Sequence, residues 1–258
     1  MLANKRHETI LKLLREHGAV QTGKLMKLLD VTGETLRKDF IELEKRGLLQ
    51  RVHGGAVQPK ESAKALSLDV REEQNTAKKR ELARYALPLI ADGGFIALDG
   101  GTTGNEMARA IADADFKDLT VMTYSLTICE ILRNVKGVTV MLTGGEYLPD
   151  FNEVCGQAAL DTLENHHFSQ AILCVSGISL SFGVSDCYPK TYPIQRAMLR
   201  HASQVIVLAD SSKFEKNAEL RISPLTPALT LVTDSGLDEE LRTLYREAGV
   251  HLICESGN

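Results

Sequence analysis

Apolar residues recur with a helical period through the first fifty positions. Ile10, Leu13 and Leu14 share a face with Arg6 and His7 one turn back, predicting an amphipathic helix that stops at Gly18. Thr22 can cap a short second helix with Leu25, Leu28 and Leu29 on one face. Thr32 can cap a third, in which Leu36, Phe40 and Leu43 fall at i, i+4 and i+7 and which Gly47 closes. Leu48–His53, the turn Gly54-Gly55 and Ala56-Val57 predict a small β-hairpin. Periodicity then lapses, and a helix is expected from about Thr76 to Ile90. From Phe95 onward short apolar strands (Phe95–Leu98, Val121–Tyr124, Val138–Leu142, Ala171–Val175, Val205–Ala209, Leu229–Thr233, His251–Cys254) alternate with helical patterns at about 104–113, 126–134, 157–165, 192–203 and 238–248. Continuous apolar strands between helices mean an α/β fold with a mainly parallel sheet covered on both sides. The pattern divides the chain into a helix-and-hairpin head over 1–58, a linker over 59–75 and an α/β body over 76–258.

Charge separates the same two regions. The 258 residues carry a net −4, but residues 1–60 hold 12 Lys+Arg against 7 Asp+Glu, and the remainder 18 against 27. A basic head on an acidic body points to a polyanion for the head alone. With 43% hydrophobic and 25% charged residues, a disordered or fibrous chain is excluded. No apolar run approaches the roughly 18 residues of a membrane helix. The charged start, Lys5-Arg6-His7-Glu8, does not resemble an export signal. Cysteines 129, 155, 174, 187 and 254 form no Cys-x-x-Cys pair. Neither a disulfide framework nor a zinc ribbon is therefore expected, which fits a reducing cytoplasm. His166-His167 reads as a surface pair on a loop, and no metal site is expected.

In the third helix the inward residues leave Glu34, Thr35, Arg37, Lys38 and Glu42 outside. A helix-turn-helix places such a helix in the major groove, N-terminal end first. Arg37 is long enough for a bidentate contact with guanine, and Thr35 can touch a phosphate or a thymine methyl. Gly33 permits close approach of the phosphate backbone, while Arg51 and His53 alternate onto one face of the hairpin as a wing. The same residues also fit a small helical subdomain with a solvated charged face, on which Glu34 and Glu42 repel phosphate.

Resemblance separates these readings. Val31-Thr32-Gly33-Glu34-Thr35-Leu36-Arg37-Lys38-Asp39-Phe40, then Leu43-Glu44, Gly47 and Arg51-Val52-His53-Gly54-Gly55-Ala56, resembles the signature of the DeoR family of bacterial transcriptional regulators. It implies a winged helix-turn-helix that binds double-stranded operator DNA. The serine usual before the recognition helix is replaced by Thr32-Gly33 and a second arginine by Lys38, changes that keep a cap and a cation.

In the body, the strand Phe95–Leu98 runs into Asp99-Gly100-Gly101-Thr102-Thr103-Gly104 and a helix. Glycines let backbone N–H groups approach a ligand, and a helix N-terminus favours an anion. Thr143-Gly144-Gly145, Tyr124-Ser125 and Asp210-Ser211-Ser212-Lys213 close other strands on the same edge, with Asp186 a further lining candidate. Each loop alone reads better as a strand-to-helix turn that needs glycine; several on one edge favour a small-anion pocket. With no Gly-Lys-Ser/Thr and no Gly-x-Gly-x-x-Gly, no nucleotide cofactor is expected.

These segments, with Thr120–Ser125, Leu142–Gly145, Ala209–Phe214 and Thr233-Asp234, are similar to the DeoR-family effector domain. The resemblance implies a fold related to sugar-phosphate isomerases that senses a small phosphorylated sugar, with Asp99, Gly101, Thr102, Thr103 and Lys213 as effector contacts. Tyr124 stands where family members commonly have asparagine. The usual acidic residue and lysine are missing near Ile194-Gln195-Arg196. The chain is therefore expected to be a cytoplasmic repressor and not an enzyme, working as a homo-oligomer (dimer or tetramer), because one short helix rarely supplies enough specificity. Against it stand an isomerase-like enzyme with an accessory head, for which no general base and no catalytic residue can be named, and a metabolite-binding adaptor whose head binds protein.

Overall fold

Ile10 and Leu14, four apart on α1 (Ala3–His17), are buried and set the inner face of the first of two packing units, residues 1–71 and 72–258. The structure, a computed structural model, describes residues 3–46, 48–52, 54–57 and 68–255. After α1 come β1 (Ala19–Gln21), α2 (Thr22–Leu29), α3 (Gly33–Lys45), β2 (Gln50–Val52) and β3 (Gly55–Val57). Leu36, Phe40 and Leu43 of α3 pack with Leu25 and Leu29 of α2, as their spacing predicts. Leu28 departs from it: α2 packs through its i, i+4 row alone and leaves Leu28 63% exposed.

Thr32 caps α3 as expected, its Oγ1 accepting from Thr35 N at 3.3 Å. Thr22 does not cap α2. β1 runs straight into the helix, Gln21 takes the cap position, and Thr22 N donates to Gly54 O at 2.9 Å. The hairpin gains β1 as a third antiparallel strand, in the order β1-β3-β2. A Cβ on Gly55 would lie 2.0 Å from Val20 O, so only glycine allows β1 and β3 this close. Gly47, expected to close α3, lies outside the described residues.

Within the span read as a linker, Leu68–Glu73 forms a helix, α4. Its six residues contain neither glycine nor proline, and the segment lacked only the length to show a period. α5 (Thr76–Ala86) stops before Ile90, because Pro88 converts Leu87–Leu89 into a 3-10 turn.

The second unit continues with β4 (Phe95–Leu98), α6 (Gly101–Ala112), β5 (Leu119–Thr123), α7 (Leu126–Leu132) and β6 (Val138–Leu142). A hairpin of β7 (Glu146–Leu148) and β8 (Glu153–Cys155) precedes α8 (Gln157–Glu164) and β9 (Phe168–Cys174). β10 (Gly177–Ser179), β11 (Gly183–Asp186), α9 (Tyr192–Arg200), β12 (Ala202–Leu208), β13 (Leu220–Ser223), β14 (Leu229–Val232), α10 (Glu239–Glu247) and β15 (His251–Ile253) complete it. All seven strands read from the sequence form one parallel sheet, ordered β15-β14-β12-β9-β4-β5-β6.

Alternation along β4 shows how the sheet is covered. Ile96 and Leu98 join Leu82 of α5, Met107 and Ile111 of α6 and Ile128 of α7 on one face. Ala97 joins Leu163 of α8 and Ile194 and Met198 of α9 on the other. Strand order reverses between β4 and β9, which opens a crevice outside their carboxyl ends. The hairpin β7-β8 and the antiparallel sheet β10-β11-β13 were not legible, being three- and four-residue strands without a usable period.

Candidate functional site

The outer face of α3 presents what its pattern predicts. Glu34, Arg37 and Lys38 are exposed, and Lys38 Nζ lies 3.2 Å from Glu34 Oε1, so one of the two cations is already paired. Thr32 and Thr35 bond through their hydroxyls at 3.0 Å, fixing both at the head of the helix. Gly33, Arg37, Phe40, Thr22, Arg51 and Gly54 line a concavity of ≈ 200 Å³ between α3 and the hairpin. Arg51, expected on the open face of the wing, is tied to α3: its Nε donates to Glu44 Oε2 at 2.5 Å and its backbone N to Glu44 Oε1 at 2.8 Å. That backbone bond, with the guanidinium beside it, holds the Glu44 carboxyl below its ordinary range. His53 lies outside the described residues.

The angle of α3 is set from behind. Asp39, inside the signature but facing inward, accepts from Arg6 Nε at 2.5 Å and Nη2 at 2.7 Å, and its Oδ1 lies 3.0 Å from His7 Nε2. Burial pushes this carboxyl up, but the bonds from Arg6 and His7 outweigh it and hold it below the usual carboxylate range. Arg6 and His7 were legible only as polar members of an α1 face; nothing in their spacing named Asp39, 32 and 33 residues away, as the partner.

At the crevice of the second unit, Asp99 ends β4 and is 1% exposed. Its Oδ1 accepts from Gly100 N at 3.0 Å and from the Tyr124 hydroxyl; its Oδ2 accepts from Cys174 N at 2.8 Å and Gln195 Nε2 at 3.0 Å. All four lone-pair directions are filled, so Asp99 organises the floor of the crevice rather than facing out of it. Burial, and then the neighbouring Asp186, push its pKa to about 7 against the pull of the bonds from Tyr124, Cys174 N and Gln195. The same Gln195 Nε2 donates to Asp186 Oδ2 at 2.6 Å, leaving Gln195 Oε1 buried without a partner among the described residues.

Over this floor Gly100 holds the cap position of α6 with no side-chain cap, so the first-turn N–H groups of Gly101, Thr102 and Thr103 face the crevice end of the helix. A Cβ on Gly100 would meet Glu153 Oε1 at 2.2 Å, so any larger residue here would push the Glu153 carboxylate aside. Glu153 arrives on β8, which Val154 N fastens to Tyr124 O at 2.8 Å. Neither Glu153 nor Gln195 was named as a site residue, because each comes from an element placed there only by tertiary packing.

The structure thus brings Asp99–Thr103 and Tyr124 together. Ser125 caps α7, its Oγ accepting from Ile128 N at 3.4 Å. Gly144 and Gly145 end β6, two strands from β4 and roughly 10 Å along the edge. Gly145 has φ +125 and a Cys155 carbonyl where a Cβ would stand, so it answers to the base of the β7-β8 hairpin. Lys213 lies two strands away on the other side, in the 3-10 turn Ser211–Lys213 after β12. Ser211 and Ser212 are held by Asp234 and Asp210, whereas Lys213 Nζ makes no hydrogen bond among the described residues.

Comparison with known proteins accounts for both units. The DeoR-like helix-turn-helix domain matches residues 6–62 and the DeoR C terminal sensor domain residues 74–235. Among curated proteins, a putative aga operon transcriptional repressor of Escherichia coli O157:H7 is 32% identical over 97% of this chain and 93% of its own length. The HTH-type transcriptional repressor GlcR of Bacillus subtilis is 29% identical over 98% and 96%. Among solved structures, ribose 5-phosphate isomerase A of Methanocaldococcus jannaschii superposes with a TM-score of 0.41 at 14% identity over 55% of each chain. No helix among the described residues is long and apolar enough to cross a membrane. With a reading head and a sensor body matched in that order over nearly the whole sequence, the chain belongs to the DeoR family of bacterial transcriptional regulators.

Proposed function

We propose that this protein is a cytoplasmic repressor of a carbohydrate-metabolism operon, that it binds its operator as a dimer or tetramer, and that a small phosphorylated sugar changes its grip on DNA. The observation that carries the effector half is the glycine-headed N-terminus of α6 at the switch point between β4 and β9, where backbone donors and helix polarity favour a phosphate. Lys213, two strands away and without a hydrogen bond from its Nζ among the described residues, is the second anchor. Relatives named as repressors of the aga operon and of the glycerol-3-phosphate regulon support the carbohydrate class. The sealed Asp99 carboxylate supports sensing over isomerase chemistry, since a carboxylate with every lone pair engaged is poorly placed to take a substrate proton.

The test is thermal stabilisation of the full-length protein across a panel of phosphorylated sugars and their unphosphorylated counterparts, followed by operator titration with each binder. A phosphorylated sugar should raise the melting temperature of the wild type and alter DNA affinity. Lys213→Ala should lose that response and keep ligand-free DNA binding. Stabilisation by unphosphorylated sugars alone, or an unchanged response in Lys213→Ala, would refute the assigned anchors.

A further inference from the structure

Two loops of the candidate site hold one corner of the chain, residues 72–78, from different sides. Asn105 lies on α6 three residues after Thr102 and four after Gly101, on the same helix face as the turn that opens the crevice. Its Nδ2 donates to Glu72 Oε1 at 3.0 Å, its Oδ1 has no partner among the described residues, and the residue is 1% exposed. The bond to Glu72 is what offsets the burial of this amide. On the other flank, Asn75 Nδ2 donates to Asp210 Oδ1 and Ser212 Oγ, each at 3.3 Å. Lys78 Nζ donates to Ser211 Oγ at 2.6 Å and lies 3.6 Å from Asp234 Oδ1. Ser211 and Ser212 are the other two residues of the three-residue turn that carries Lys213.

The corner itself is braced. Thr76 Oγ1 donates to Glu72 O at 2.5 Å, the buried Lys79 Nζ to Gln74 O at 2.6 Å, and Asn75 holds φ 54. Glu72 belongs to α4, the helix through which the chain passes from residues 1–71 to residues 72–258.

We propose that Asn105 and Asn75 are positioning residues that carry occupancy of the Gly100–Thr103 and Lys213 loops to the corner 72–78, and so to α4. The proposal rests on the anion-sensing reading above. An anion on the first turn of α6 acts on a rigid helix, and Asn105 one turn along shares its displacement. An anion on Lys213 acts on a turn whose remaining residues grip Asn75 and Lys78. Both loops therefore bias one element, which coupling between distant sites requires. The contacts also have two discrete states: a buried amide is either bonded to Glu72 or orphaned, with a cost that resists any intermediate.

Hydrogen–deuterium exchange of the full-length protein, with and without saturating inorganic phosphate as the probe, tests this. In the wild type, phosphate should slow exchange at 99–104, at 210–214 and at 72–78, the corner by fivefold or more at a coupling of ordinary size. Asn75→Gly keeps the left-handed backbone and removes the amide; Asn105→Ala removes the bond to Glu72. Each should retain protection of the loop it does not touch while lowering the corner's response, and the double variant should bring that response to within about twofold of none; Arg200→Ala, whose ion pair with Glu164 touches neither the loops nor the corner, should leave it in place. Protection of the loops with an unresponsive wild-type corner, or an undiminished corner in both variants, overturns the relay and leaves the anion site standing. No protection at 99–104 overturns the anion site and the relay with it.

Discussion

Each unit of this protein buries an aspartate at its working end, and the two are held in opposite ways. Asp39 in the head meets cationic Arg6, beside His7, and titrates below the usual range; Asp99 in the body meets two backbone N–H groups, a phenol and an amide, and titrates near 7. Neutral donors do not offset the removal of Asp99 from water, whereas the bonds from Arg6 and His7 together do so for Asp39. The lesson is one of roles. The head needs a recognition helix at a fixed angle, and an ion pair between α1 and α3 locks it. In the body, burial among neutral donors raises the Asp99 carboxyl to about 7 on the floor of the candidate site.

The sharpest way to break this comparison is Asp39→Ala, which removes the buried carboxylate that Arg6 and His7 share. Residues 3–45 should lose about 3–5 kcal/mol, read as accelerated exchange of α1 and α3 in the full chain, with operator binding lost and the body unchanged. Next in size, Arg37→Ala should weaken specific operator binding by ~1–3 kcal/mol in a titration while leaving the exchange of α1 and α3 as it was. Tyr124→Phe removes one donor from Asp99 and should cost the body about 1–3 kcal/mol in denaturant unfolding at neutral pH.

The pH profiles should run in opposite directions. Asp39 has its folded pKa below the ordinary 3.8, so its contribution is complete above that value and is lost as pH falls through the lower folded one. Asp99 has its folded pKa above 3.8, so its contribution is complete below 3.8 and drains away as pH rises through about 7. Local exchange protection measured in each unit between pH 3 and 8 would show the crossing; parallel profiles would contradict the assignment. The smallest effect is expected from Lys38→Ala, whose pair with Glu34 is exposed on both sides. Stability should stay put, and the salt slope of DNA binding should fall by about one if Lys38 meets a phosphate.

What could be read from the sequence follows from what each element depends on. The seven strands were legible because a sheet covered on both faces leaves runs such as Val205–Leu208 with no polar interruption. Thr32 was legible as a cap because capping is decided within three residues. Thr22 misled, because its own N–H is claimed by the Gly54 carbonyl, more than thirty residues away, which starts the helix at Thr22 and moves the cap position back to Gln21. The site divides in the same way. Gly100–Thr103 announced themselves by composition. Gln195, Glu153 and the Asn105–Glu72 bond did not, since each joins elements that only the closed sheet brings together. Gly145 shows the converse, a glycine that looks like ligand chemistry and answers to a carbonyl of its own hairpin.

The strand order has a consequence for synthesis. β4, the first of the seven to leave the ribosome, is a central strand; β5 then adds to one side of it and β6 to β5, after which β9, β12, β14 and β15 extend the opposite side in turn. Every later arrival finds its neighbour already made, and none has to wedge between two earlier ones. A nascent chain can therefore grow this sheet outward from both flanks as it emerges, with no slot left waiting for a missing piece.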